Sequence, residues 1–403
     1  MTFLTDDLLA RIHARAAEVD AANIFPDADL ADLRAVGYLA AFVPTEFGGG
    51  GLSLEEIANE QTRLAKASPA TALGINMHQI IVGVGRHLAA NGNPAGETIL
   101  REAAAGEVFG FAISEPGNDL VLFGSITEAR PDGAGGYTFH GQKVFTSLAP
   151  VWTRLLTFGA DRTDPDAVRN IFAILTRDAG GFEIADDWDT LGMRATQSNS
   201  TKLTGAPAPA DRILQVVTPG PSLERIVFGI FSHFEALLAA TYLGIGERAI
   251  EVAAAHVKKR RSVKNDDVYA NDPDIRWRLA DAAIRMNSAH AEVTLTAREL
   301  DEGREYGMLW LPKLSHQERR SRGVPARGRA VDPGVRRVVV LELPRAVTPL
   351  PRRAGWVVPA VRPGVAARRV GERGAGPRHA QGLMRAVTAP ARGRRGRRSR
   401  RDG

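Results

Sequence analysis

Apolar residues recur at helical spacing from the start of the chain to about residue 108, as in Leu8-Leu9-Ile12 and Ile57-Thr62-Leu64, within text rich in Ala, Leu and Glu. Pro26 and the Gly48–Gly51 run divide this stretch into separate helices. From about Gly110 to Val217 the pattern changes. Short β-rich runs (Ser125–Ala129, Tyr137–Phe145, Arg154–Phe158, Asn170–Thr176, Ser200–Leu203) alternate with Asp-Gly, Gly-Gly and Pro-containing turns, which predicts a compact antiparallel sheet unit or small barrel. After Pro219 and Pro221 the helical period returns. Ile226 to about Arg260 is apolar nearly all round, so a central buried helix is expected there. A second helix is predicted from Pro273, a residue suited to a first turn, to about Glu302, and a third begins near Tyr306. The fold class is α+β: a helical domain at 1–108, a middle antiparallel β domain at 109–217 and a helical domain at 218–315.

The charge changes this picture at one end only. The 403 residues carry a net charge of +6, but residues 1–315 sum to −12 and residues 316–403 to +18. The second segment uses 23 Arg and no Lys, and Gly and Pro make up 21 of its 88 residues. Such text buries too little apolar surface to offset backbone ordering, so disorder is expected from 316 on. It also reads as GC-rich coding sequence out of frame, which places a frameshift near codons 314–320 and leaves the C-terminal bundle incomplete. The run Arg392–Arg401 is rich enough in Arg to contact phosphates. Aromatic residues are not interleaved with it and the body is acidic, so a nucleic-acid partner is not expected.

Several chemistries drop out. The absence of Cys excludes disulfides, thiolate nucleophiles and Cys-ligated metal clusters, and it fits the cytoplasm. Acidic Asp6 and Asp7 stand where a signal peptide needs basic residues. The most apolar stretch, Ile226–Phe234, is well short of the ~20 residues that span a membrane. Gly83-Val84-Gly85 opens a dinucleotide-like pattern, but Leu88 occupies the third glycine position in a helical context. His140 on a strand and His233 on the long helix read as structural.

The segment Gly110-Phe-Ala-Ile-Ser-Glu-Pro-Gly-Asn-Asp119 carries more information, together with Gly136-Tyr-Thr-Phe-His-Gly-Gln-Lys-Val-Phe-Thr-Ser147 and Leu191-Gly-Met-Arg-Ala-Thr196. In this order, with Pro44-Thr-Glu-Phe-Gly-Gly49 before them, they resemble the motifs of the acyl-CoA dehydrogenase family over residues 5–315. The resemblance implies an N-terminal helical domain, a middle β domain and a C-terminal helical bundle. It also implies FAD, an acyl-CoA substrate, an electron-transferring flavoprotein as acceptor, and a dimer or tetramer. Ser114, Phe145 and Thr146 are the implied flavin contacts. Taken alone, Ser114 would cap a turn, Phe145 would belong to the core and Lys143 would be a solvated strand residue.

Both flavin-facing segments are shorter than the usual family form, so Thr146 or Ser147 serves as the flavin partner. The shortening also opens a second reading, a flavin monooxygenase of the same fold. A third is a non-catalytic truncated product. For α,β-dehydrogenation a carboxylate must remove a proton while hydride passes to flavin N5. Glu224, in Pro221-Ser-Leu-Glu-Arg-Ile226, matches the position at which some family members carry that base. An acid in a first helical turn is also favoured by the helix dipole alone. Arg260, in Lys258-Lys-Arg-Arg-Ser-Val263, matches an Arg that in the family reaches the flavin diphosphate of a neighbouring subunit.

Overall fold

Short polar side chains start the helices of the N-terminal domain. Thr5 accepts from the Leu8 N–H ahead of α1 (Asp6–Ala22), and α2 (Asp27–Ala35) follows. Ser53 and Glu56 form a reciprocal capping box on α3 (Leu54–Ala67). Ser68 and Asn93 cap α4 (Pro69–Ala90) and α5 (Pro94–Ala104), both of which carry Pro in the first turn. This computed structural model describes residues 2–327; the tail beyond, with Arg392–Arg401, lies outside the described residues.

The glycines of α4 are used for close packing. A Cβ on Gly96 of α5 would lie 2.3 Å from the Ala89 nitrogen and 2.5 Å from the Gly85 carbonyl oxygen, and one on Gly83 would meet the His233 ring at 2.2 Å. Gly83-Val84-Gly85 therefore marks helix crossings and not a phosphate loop.

The β domain is an eight-stranded sheet: β1 (Phe109–Ala112), β2 (Glu128–Pro131), β3 (Tyr137–Lys143), β4 (Arg154–Asp161), β5 (Arg169–Thr176), β6 (Phe182–Ile184), β7 (Thr201–Ala208) and β8 (Ile213–Val217). Its order is β6-β7-β3-β2-β4-β5-β8, with β1 on β4. Pairing is antiparallel except where β1 and β2 meet β4. Alternate side chains serve two cores. Phe109, Leu156, Phe158 and Phe172 face the helices, while Phe139, Trp152, Leu155 and Ile171 form a separate cluster on the other face. Three of these strands, β1, β6 and β8, were not evident from the sequence pattern. Ser125 to Thr127 stay out of β2 because their polar groups turn toward Glu115, and β3 stops before Phe145, which takes a left-handed backbone at φ 59°.

The C-terminal helices are α6 (Arg225–Lys259), α7 (Pro273–Asp301) and α8 (Trp310–Arg327), with a two-stranded hairpin, β9 (Arg261–Ser262) and β10 (Asp267–Val268), between the first two. At 1.5 Å per residue α6 is roughly 50 Å long. It is long and apolar enough to cross a membrane, yet 67% of its most apolar window is buried, chiefly against α3, α4, α7 and α8. The α3 crossing is tight: Thr62 donates to the Ala240 carbonyl at 3.1 Å, and a Cβ on Gly244 would lie 2.2 Å from the Thr62 carbonyl oxygen. Helix α8 continues past the expected boundary at residue 315. Trp310, Leu314, Gln317, Glu318 and Ser321 form its buried stripe, which is polar in its second half and so does not read as a helix face.

Gly244→Ala is expected to destabilise the protein by ~1–3 kcal/mol through overpacking at this crossing, despite the better helix propensity of Ala. Urea denaturation followed by far-UV circular dichroism measures it.

Candidate functional site

The loop after β1 and the loop after β3 run side by side: the Val144 N–H donates to the Ser114 carbonyl at 2.9 Å. Below this contact Lys143 and Glu115 form an ion pair at 2.7 Å, both side chains fully buried. Lys143 also donates to the Phe158 carbonyl at 2.7 Å and lies 4.5 Å from the centre of its ring. Glu115 accepts further from Asn118 Nδ2, Ser125 Oγ and the N–H groups of Ile126 and Thr127. Burial opposes ionisation of Glu115, but Lys143 and the hydrogen bonds from Ser125 and Thr127 outweigh it and hold the carboxyl at about 2. Burial also pulls Lys143 down to about 8, against the charge of Glu115. Lys143 is therefore not a solvated strand residue. Tyr137, Phe139 and Lys143, all at odd-numbered positions, are the buried residues of β3.

The third recognised motif closes over the same place. Leu148 donates its N–H to the Thr196 carbonyl at 3.1 Å and Ala149 to that of Gln197 at 3.3 Å. Trp188 meets the Phe145 ring edge-on, at 6.2 Å between centroids. Arg194 donates to the Asp20 carbonyl and Gln197 to that of Asn23, which ties this loop to the end of α1. Of the seven non-glycine residues with positive φ among those described, five lie in these loops: Val121, Phe145, Leu148, Met193 and Gln197. Such conformations persist where surrounding contacts over-determine them, and they gather at functional sites.

Three of the five expected site residues thus come together. Ser114 is half-buried, Phe145 is 41% exposed, and Thr146 is fully buried with a hydroxyl oxygen that has no hydrogen-bond partner. An exposed aromatic edge, short hydroxyls and an unsatisfied polar atom fit the polar rim and flat face of an isoalloxazine. Beside them runs a buried hydroxyl chain that sequence reading missed: Ser147 to Ser198 at 2.7 Å, Ser198 to Thr196 at 2.7 Å, and Thr196 to the Met193 carbonyl at 2.8 Å. No local sequence signal joins Ser147 to Ser198, which are brought together by the loop crossing.

The other two residues stand at opposite ends of α6. Glu224 precedes the helix instead of lying in its first turn. Its side chain is exposed and accepts from Gln215 of β8 at 2.9 Å, while Gln215 Oε1 accepts the Ile226 N–H. The glutamine thus caps the helix, and the glutamate is held by the glutamine. Arg260 follows the last turn and lies 5.1 Å from the Tyr269 ring centre.

Helices, a β domain and further helices follow one another along the chain, with hydroxyls at the rim of the β domain. Residues 6–107 match the acyl-CoA dehydrogenase N-terminal domain and residues 236–328 the acyl-CoA dehydrogenase C-terminal domain, and the chain belongs to the acyl-CoA dehydrogenase family. The C-terminal match carries the resemblance beyond residue 315, in step with α8. The chain is 32% identical over 259 residues to L-evernosamine nitrososynthase of a Micromonospora species, covering 61% of this chain and 59% of that protein. The match thus spans about three fifths of that relative's length. It is 29% identical to mitochondrial isovaleryl-CoA dehydrogenase of Oryza sativa subsp. japonica, over 73% of this chain and 71% of that one. In three dimensions it resembles FMN-bound TdsC from Paenibacillus sp. A11-2, with a TM-score of 0.70, 24% identity, and coverage of 80% and 82%.

Lys143→Met leaves the Glu115 charge buried and unpaired, so a loss of about 3–5 kcal/mol in urea unfolding is expected, with Glu115→Gln/Lys143→Met recovering most of it. The Glu115 carboxyl is lowered in the fold from 4.5 to about 2, so its stabilisation is full above 4.5 and disappears as the pH falls toward 2. The stability advantage of wild type over Glu115→Gln is expected to shrink across that window.

Proposed function

We propose that the chain is a flavin-dependent monooxygenase built on the acyl-CoA dehydrogenase fold, acting on a substrate that is not a coenzyme A thioester. One observation carries this reading: neither Glu115 nor Glu224 is placed as a base. Glu115 is locked in its ion pair with its carboxyl held low, and Glu224 is exposed and bonded to Gln215. A base that removes a weakly acidic α-proton needs a carboxylate with a raised pKa, and burial without compensation is what raises one. The similarity to a nitrososynthase supports the same reading. Fatty-acid metabolism, an acyl-CoA substrate and an electron-transferring flavoprotein belong to the dehydrogenase reading and are not carried over.

In this proposal Ser114 and Thr146 hold the polar edge of the flavin, Phe145 and Trp188 flank it, and the β-domain loops keep water from that edge. FMN, present in the TdsC structure, stands beside FAD as the candidate cofactor. The reduced flavin supplies the electrons with which oxygen is activated. Arg260, after the last turn of α6, is in this proposal the residue that contacts the phosphate of a flavin held by a second copy in a homo-oligomer, as the family resemblance implies.

The test is oxygen uptake by the purified full chain with reduced FMN or FAD, set against bleaching of bound flavin by acyl-CoA thioesters. Oxygen uptake without bleaching is expected, and Glu224→Gln should change its rate by less than ~3-fold, whereas loss of a true general base costs ~100-fold or more. Bleaching that Glu224→Gln abolishes would restore the dehydrogenase reading.

A further inference from the structure

The hydroxyl chain beside Thr146 has a direction. The Thr196 hydroxyl donates to the Met193 carbonyl, and a carbonyl only accepts. The Thr196 oxygen therefore accepts its second contact, from Ser198, and the Ser198 oxygen in turn accepts from Ser147. Each hydroxyl in the chain has one proton, and all three are engaged. Ser147 is left with lone pairs and no proton for a fourth partner. Thr146 is its opposite, a buried hydroxyl whose proton is free. The far end is firmly placed: Met193 has φ 60°, and its carbonyl also takes the Trp188 indole N–H at 3.2 Å and the Thr196 N–H at 3.1 Å.

Oxidised and reduced flavins differ in what they ask of such a rim. The N5 position of the oxidised ring carries a lone pair and seeks a donor, whereas after two-electron reduction it carries an N–H and seeks an acceptor. We infer that Ser147 is a fixed hydrogen-bond acceptor at the flavin edge, oriented by Ser198 and Thr196, and that it biases the site toward the reduced, N–H-bearing flavin. This rests on the flavin-binding part of the function proposed above. It divides the roles that the sequence left open, with Thr146 as donor and Ser147 as acceptor. Ser198 and Thr196 are positioning residues, since they act on the flavin only through Ser147.

Anaerobic titration of the full chain with oxidised FMN and with dithionite-reduced FMN, followed by tryptophan fluorescence, tests this. Reduced FMN is expected to bind ~5- to 10-fold more tightly, the value of about one net hydrogen bond. Ser198→Ala frees the Ser147 proton to donate and should bring the ratio of the two dissociation constants close to one, while Ser198→Thr keeps the chain and restores it. Ser147→Ala, which removes the acceptor itself, must collapse the same ratio and serves where Ser198→Ala does not fold. Equal binding of both forms by wild type, or a ratio untouched by these substitutions, overturns the inference and leaves the oxygenase reading standing. Failure to bind either form overturns both.

Discussion

Lys143 carries its charge to a position with no exposed side-chain surface, and the loops of the candidate site take their places from the contact it makes there with Glu115. A buried ion pair is tolerated only when the remaining lone pairs and protons are satisfied. Here the Phe158 carbonyl and ring serve the ammonium, and Asn118, Ser125, Ile126 and Thr127 serve the carboxylate. Meeting that demand folds residues 116–127 around the carboxylate instead of extending them as a strand. The same pair joins the end of β1 to the end of β3, which sets Ser114 beside Val144.

Around this fixed point the backbone is held in conformations it would not adopt alone. Phe145 and Leu148 lie in the left-handed region, as do Val121, Met193 and Gln197, at a cost on the order of 1–3 kcal/mol each. What holds them is identifiable. Leu148 and Ala149 donate to the 193–198 loop, and that loop is tied to α1 through Arg194 and Gln197. Residues that would orient a flavin are thus fixed by contacts within the protein, and fixed hydrogen-bonding groups are the ones that discriminate between charge and protonation states.

The long periodic elements were legible in the sequence because burial on one or all sides leaves a repeat that can be counted. Helix α6 was expected from Ile226 to Arg260 and runs from Arg225 to Lys259; α7 starts at Pro273 as read. What was missed depends on contacts between distant residues. Strand β1 is four residues long and buried throughout, so it shows no alternation, and its pairing with β4 lies far along the chain. Lys143 looked solvated because its partner is 28 residues away. Helix α8 was cut short at residue 315 because Gln317, Glu318 and Ser321 put polar groups on its buried stripe. At the site, the recognised motifs located Ser114, Phe145 and Thr146, whereas the Ser147–Ser198–Thr196 chain exists only where two loops cross.

The two glutamates show why residue type alone is a poor guide to chemistry here. Both Glu115 and Glu224 lie in motifs associated with a dehydrogenase, and either carboxylate has the right functional group for a base. Glu115 is buried, which by itself would favour the protonated acid, yet four neutral donors and the Lys143 cation reverse the effect. Glu224 escapes burial because Gln215 has taken over the helix start, so the carboxylate turns to an amide at the surface. One carboxylate is thus fully used in holding the loops together and the other is bonded to an amide at the surface. Among the described residues of these loops, the groups left to meet a flavin are hydroxyls, backbone amides and aromatic faces, which orient and polarise but do not remove a carbon-bound proton. A site of that composition suits a reaction in which the cofactor supplies the reactive electrons and the protein decides which form of it is held.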